Sequence, residues 1–216
     1  MIDRDFVGHA RTVPLDRWPD GSLVAVNIVV NVEEGAEAAW PDGEGNDSWG
    51  EYGLPIDPAV RDLGTEGHFE FGSRVGIWRM LNLFEAHDMP ITCYAVGQAL
   101  EKNPAVVTAL TEGGHEIANH AYRWLDYHSM PPDLEKEYIE RQLKVMKELT
   151  GEYPGGWYYG RLSPRSKTLV HEVYREHGIQ LAWESDSYCD DLPYWVDVPA
   201  EKDEEKPEGM LMIPYT

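Results

Sequence analysis

The chain is short of three things. It has two cysteines in 216 residues, Cys93 and Cys189, too far apart for a CxxC metal knuckle and too few for a disulfide framework. Cys93, inside an apolar run, reads as a small core residue. Positive charge is scarce: 18 lysines and arginines face 39 aspartates and glutamates, for a formal net charge of −21. A field of that sign repels phosphate backbones and anionic lipid surfaces, so neither nucleic acid nor a membrane is an expected partner. The chain also lacks an apolar run long enough to span a bilayer, and Met1-Ile2-Asp3-Arg4-Asp5-Phe6 has no basic segment followed by an apolar one. A cytoplasmic protein is the default expectation.

What is present is a series of strand signals alternating with helical ones, in a length that suits one domain over residues 1–216. Leu23 to Val32 is the β-branched run of a buried strand, and it ends at Glu33-Glu34-Gly35. Residues 36–72 are rich in Gly, Pro, Asp and Trp without periodicity, which predicts a long functional loop. Ser73 is placed to cap a helix to about His87, and Ile91 to Gly97 is the next strand. Asn103-Pro104 opens a short helix through Leu110, and His115 to Asn119 follows as a strand. The spacing of Tyr138, Gln142, Val145 and Leu149 predicts an amphipathic helix over 134–149. Gly156 to Gly160 reads as a short strand delivering Arg161, and Ser163-Pro164 as the start of a helix ending at Gly178. Ile179 to Trp183 is one more strand, delivering Glu184 to Tyr188. The acidic stretch Glu201 to Glu208 reads as a solvated loop before a last strand over Met210 to Pro214, making about six β units and no internal repeat.

Strand followed by helix, repeated this often, argues for a parallel sheet, and polar clusters at its strand ends argue for barrel-like closure. A full (β/α)₈ barrel takes about 250 residues. This chain stops directly after a strand, at Ile213-Pro214-Tyr215-Thr216, with no helix to cover the end. The expected fold is therefore α/β, an incomplete (β/α) barrel: a truncated chain, a split gene, or an open barrel completed by other residues.

Four clusters fall at successive strand ends. Glu33 and Glu34 are adjacent carboxylates, and alternation sends one toward the barrel axis and the other toward the rim. Such a pair can divide labour as base and ligand or as base and acid, or it can simply open a solvated loop. His120 is a ligand, a general acid or a satisfied core histidine, and Trp124 shares its strand end. Arg161 is placed to orient an anionic or carbonyl group, or to pair with Glu33 or Asp186. The run Asp186-Ser187-Tyr188-Cys189-Asp190-Asp191 is a polar, aromatic site segment or a capped turn. Together the four favour an enzyme. His68, His87, His128, His171 and His177 are expected on loops or helix faces without a role, and Trp40, Trp49, Trp157 and Trp183 as packing.

The order of Asn31-Val32-Glu33-Glu34-Gly35, Gly114-His115-Glu116-Ile117-Ala118-Asn119-His120, Arg161 and the late acidic cluster resembles the polysaccharide deacetylase superfamily. That resemblance implies an irregular, usually seven-stranded (β/α) barrel. In its deacetylases the first motif is a pair of aspartates, a catalytic base and a metal ligand, and the second is a pair of histidines separated by three residues. Here Glu33 and Glu34 stand in for the aspartates and His120 for the first histidine, but four residues on stands Trp124. Glu-Glu-Gly-Ala-Glu at 33–37, Tyr122-Arg123-Trp124, Gly160-Arg161-Leu162-Ser163-Pro164 and Asp186 to Trp195 are similar to the branch containing the allantoinase of urate catabolism, and the likeness runs over nearly the whole chain.

The resemblance implies hydrolysis of a non-peptide C–N bond in a cyclic ureide such as allantoin, a small-molecule substrate, with no cofactor and no bound metal. It makes Glu33, Glu34 and His120 catalytic and puts Trp124, Arg161, Asp186, Tyr188 and Asp190 around the substrate, in a homo-oligomer such as a tetramer. With Glu34 and His120 as the only evident ligands, a zinc site is one short of the usual three protein ligands. Two other readings stay open: a metal-dependent deacetylase of an N-acetyl sugar or polysaccharide, and an inert member kept as a binding or assembly subunit. The family's last strands, which carry a further histidine motif, are expected to be lacking.

Overall fold

The structure, a computed structural model, describes residues 5–12, 14, 17–47, 57, 59–198 and 209–215. Seven strands form one sheet: β1 (Val29–Val32), β2 (Thr92–Ala95), β3 (Glu116–Asn119), β4 (Gly156–Trp157), β5 (Trp183–Glu184), β6 (Tyr194–Val196) and β7 (Met210–Met212), in the order β1-β2-β3-β4-β5-β7-β6. All pairings are parallel except the antiparallel β6–β7 pair. No ladder joins β1 to β6 among the described residues, so the sheet stays open along those edges. The crossovers carry α1 (Leu63–Phe71), α2 (Ile77–Ala86), α3 (Gly97–Lys102), α4 (Pro104–Glu112), α5 (Pro132–Thr150) and α6 (Ser166–Glu176). No described helix is long and apolar enough to cross a membrane.

Alternation along the strands builds two layers. Val30, Val32, Cys93 and Ala95 turn outward and meet Ile77, Leu81, Val106, Leu110 and Met146 from the helices. Further round, Trp157 and Tyr159 pack on Ile139, Leu143, Val170 and Val173 of α5 and α6. The alternate residues turn inward, where Tyr94, Ala118 and Tyr158 pack with Val29, Trp183 and Tyr215. Leu100, Leu110, Ile139, Leu143 and Met146 are fully buried, each contributing roughly 1.5–3 kcal/mol. α5 is begun by Pro132 at its first position, carries Asp133 and Glu135 in its first turn, and closes at Gly151 with φ +82°.

The structure departs from the sequence reading at several elements. Only Val29–Val32 of the apolar run 23–32 is a strand, and Leu23, Val24 and Val26 are exposed, because β2 begins to pair only opposite Val29. The supposed loop 36–72 instead contains α1, which passes through a π-helical turn (Gly72–Gly76) into α2. Gly64, Gly67 and Gly72 weaken its helical signal, while Asp62, accepting from the Gly64 and Thr65 amides at 2.9 and 3.2 Å, supplies the cap. Ser73 therefore lies inside a helix and accepts from Asn103 Nδ2 at 3.0 Å. α6 begins at Ser166, because 163–166 closes as a turn in which the Ser163 amide donates to Ser166 Oγ at 2.7 Å. The strands carrying Gly156 and Trp183 are two residues each, α3 and β6 are additional, and the sheet has seven strands where about six β units were expected. His171 is buried in α6 rather than on a surface, and Trp40 is partly exposed. Trp49, Glu201 to Glu208 and Thr216 lie outside the described residues.

Candidate active site

The pleat that carries Val29 and Asn31 inward carries Glu33 inward as well, one residue past β1. Glu33 Oε1 accepts from Asn31 Nδ2 at 2.9 Å and lies 2.8 Å from His120 Nε2. His120 follows β3, is 1% exposed, and donates its backbone N–H to the Ala95 carbonyl at 3.1 Å. Its Nδ1 is 3.1 Å from the Tyr158 carbonyl. A carbonyl can only accept, so Nδ1 carries a proton, and the Nε2–Glu33 contact needs a second one. The dyad is an imidazolium against a carboxylate or an imidazole against a carboxyl, and either form holds one transferable proton. Ala121, directly after His120, has φ +58°, a left-handed conformation costly for a residue with a Cβ, and its carbonyl is held by the Gly97 amide at the start of α3.

Glu34 takes the opposite direction. It lies against Gly72 of the π-helical turn, where any side chain would collide with its carboxylate, and Oε2 accepts from the Glu33 amide at 3.2 Å. Burial, with smaller contributions from Glu33 and Glu37, pushes the Glu34 carboxyl above the usual range. A carboxyl raised in the folded state costs stability as pH rises through its folded pKa, and glutamine in its place escapes that cost. Glu34→Gln is accordingly expected to raise Tm at pH 8 and to leave it unchanged near pH 4. A Tm difference that is flat or negative over that range, in thermal melts across pH, would count against a buried carboxylate.

Trp124 and Arg161 meet. The Arg161 guanidinium carbon stands 3.6 Å from the Trp124 ring centroid, and Phe69 packs edge-on to the same indole at 5.8 Å. Arg161 also reaches the Trp124 carbonyl at 3.4 Å and Asp47 Oδ2 at 3.9 Å. Burial draws the Arg161 pKa down, and Asp47 and Glu33 oppose that shift. A planar cation is thus held beside the Glu33–His120 dyad.

The late acidic segment separates into different places. Asp186 is buried, and its two oxygens accept from the Tyr159 and Gly160 amides, both at 2.7 Å. Tyr188 is 61% exposed at the rim, with its hydroxyl 2.9 Å from that of Tyr158. Asp190 accepts from the Asp191 and Leu192 amides at 2.8 and 3.1 Å, a turn contact that holds its carboxyl below the usual range. The structure therefore brings together Glu33, His120, Arg161 and Trp124, with Tyr188 at the edge; Glu34 faces the helices, and Asp186 and Asp190 engage backbone.

Several contributors were not singled out by the sequence. Asn31 holds Glu33 and could have been found from its place two residues earlier on the same strand face. Buried Arg123 donates to the Ala36 and Glu37 carbonyls at 3.1 and 3.0 Å and pairs with Glu44, clamping the loop after Glu34. Tyr215, 5.0 Å from Tyr158 in a near-parallel stack, and Tyr158 itself extend the aromatic wall beside His120. Arg123 falls in the Tyr122-Arg123-Trp124 motif without its clamp being visible there, and no local signal marks Tyr158 and Tyr215, because long-range packing assembles them.

Among the described residues no three His, Cys, Asp or Glu side chains come together as a metal site. His120 Nε2 is engaged by Glu33, Glu34 points elsewhere, and an indole capped by a guanidinium fills the position of the second histidine. The metal of the deacetylases does not fit this donor set.

The polysaccharide deacetylase family signature matches residues 68–182, more than half of the chain. A Schizosaccharomyces pombe protein classed as a polysaccharide deacetylase is 41% identical over 222 aligned residues, covering 99% of this chain and 69% of that one. The solved structure of PuuE allantoinase superposes with a TM-score of 0.86 at 37% identity, over 100% of this chain and 69% of that one. A Pseudomonas aeruginosa PAO1 protein classed as a polysaccharide deacetylase gives a TM-score of 0.85 at 38% identity with the same shares. The open, mostly parallel sheet has the irregular barrel fold of these structures. On the signature match and these likenesses over its whole length, the chain belongs to the polysaccharide deacetylase family of hydrolases.

Proposed function

We propose that the chain hydrolyses a C–N bond in a cyclic ureide such as allantoin, with Glu33 as general base. The observation that carries this reading is the Glu33–His120 dyad set beside an arginine stacked on Trp124. Asn31 and His120 both engage Glu33 Oε1, and Oε2 is the oxygen assigned to the activated water. Water oxygen adds to the ring carbonyl carbon and its proton passes to Glu33. The Arg161 guanidinium stabilises the oxyanion, the C–N bond breaks, and the leaving nitrogen takes a proton from His120. The products are a carboxylate and a ureido group on one open chain. Trp124 supplies an apolar wall, and the Tyr188 hydroxyl at the rim is placed to hydrogen-bond a ureide carbonyl. The allantoinase among the structural relatives supports this substrate class, while the other two relatives support a deacetylase, whose metal finds no donor set among the described residues.

The test is conversion of allantoin to allantoate by chelator-treated protein. Turnover is expected without added metal. Absence of turnover that returns only with Zn²⁺ would overturn the reading in favour of a metal site, and absence under both conditions would overturn the substrate class.

A further inference from the structure

We propose that Asp186 is a positioning residue: its carboxylate clips the Tyr159 and Gly160 amides, and so fixes the Tyr158 carbonyl that holds the Nδ1 proton of His120. The proposal concerns the internal wiring of the dyad, and only its kinetic arm rests on the cyclic-ureide reading.

The clip is built from both sides. On one side the chain makes a three-residue turn, the Arg161 amide donating to the Tyr159 carbonyl at 2.9 Å around Gly160 at φ +73°. Only glycine enters that conformation at little cost, and a Cβ there would press on the Tyr158 ring and on His120 Cε1 at 3.3 and 3.4 Å. The turn leaves two consecutive amides pointing the same way, and each lies 2.7 Å from one oxygen of Asp186. On the other side Asp186 sits in a similar turn, the Ser187 amide donating to the Ser185 carbonyl at 2.8 Å, and its own carbonyl accepts from Lys167 Nζ at 2.6 Å. Burial and the neighbouring Asp186 hold the Glu184 carboxyl well above the usual range. Lys167 Nζ, 3.5 Å from Glu184 Oε2, sets a cation beside the two carboxyl groups.

The same turn sets both active groups. The Tyr158 carbonyl precedes the clipped amides and accepts from His120 Nδ1 at 3.1 Å, so the ring presents Nε2 to Glu33. Arg161 follows directly and is aimed at Trp124. A carboxylate is required because it offers two acceptor oxygens to two N–H donors; asparagine offers one oxygen and sets an NH₂ against the second donor.

Histidine-selective ¹⁵N NMR and amide hydrogen exchange on the intact chain test this. In the parent, a slowly exchanging Nδ1–H signal of His120 and protected Tyr159 and Gly160 amides are expected. Asp186→Asn should lose the Nδ1–H signal while unfolding cooperatively, and lower kcat about 10²-fold with KM held, the size of loss expected for a misplaced catalytic group. An Nδ1–H signal unchanged in D186N would overturn the proposal. Should D186N not fold, the parent decides alone: Tyr159 and Gly160 amides exchanging at open-loop rates would overturn it, and protection alongside the Nδ1–H signal would support it. A parent without allantoin turnover would remove the proposed substrate while the NMR arms still read the clip.

Discussion

Glu33→Gln is expected to lower kcat for ureide opening by about 10²–10⁴, with KM close to that of the parent. Glutamine keeps the size of the side chain and an oxygen to accept from Asn31 Nδ2 or from His120, so the fold and the binding surface survive. It cannot take a proton from water, and the loss falls on the chemical step. The contrast with Glu34 sharpens the expectation. Glu34 lies against the Gly72 turn, away from His120, and its carboxyl is shifted by burial rather than by a reacting partner. Steady-state kinetics on both variants decide between the two carboxylates: a larger loss in Glu34→Gln than in Glu33→Gln would reverse their roles, and parent-like turnover in both would sink the base altogether.

Arg161→Ala is expected to lower kcat by about 10²–10³, the effect of removing one preorganised group that faces a developing oxyanion. The guanidinium carbon stands 3.6 Å from the Trp124 ring centroid and the group is partly desolvated, which strengthens its field. Arg161→Lys is expected to recover little, since an ammonium keeps the charge but has no plane to stack and no fork to present. The two variants, measured for kcat beside a melting curve, separate charge from shape. Full recovery in the lysine variant would show that position matters less than sign, and a parent-like kcat in the alanine variant would make Arg161 a structural partner of Asp47 and Trp124.

How much of this could be read from the chain follows from how local each signal is. Gly151 marks the end of α5 by a rule that acts within a few residues, and the 3.6-residue spacing fills its length, but its start at Pro132 lies two residues before the expected 134. The core strands β1 to β3 were legible from apolar runs, although their outer ends were not, because a β-branched segment needs a neighbour and Leu23 to Val26 pair with no strand among the described residues. α1 was hidden by its glycines. In the site, Glu33, His120 and Arg161 announce themselves by following strands. The functions of Asp186 and Glu34 could not be inferred that way, since a carboxylate aimed at backbone amides and one aimed at substrate look alike in a sequence. The left-handed Ala121 and the Arg123 clamp exist only once remote segments have met.

The guanidinium over Trp124 has a consequence for supply. A bound ion is present only in proportion to its free concentration, and chelation or scarcity removes it by mass action. A cation carried on a side chain has an occupancy of one whenever the protein is folded. Its presence is set by folding stability alone, and its cost is versatility: an arginine cannot exchange ligands, and it receives only an anion that arrives along its plane.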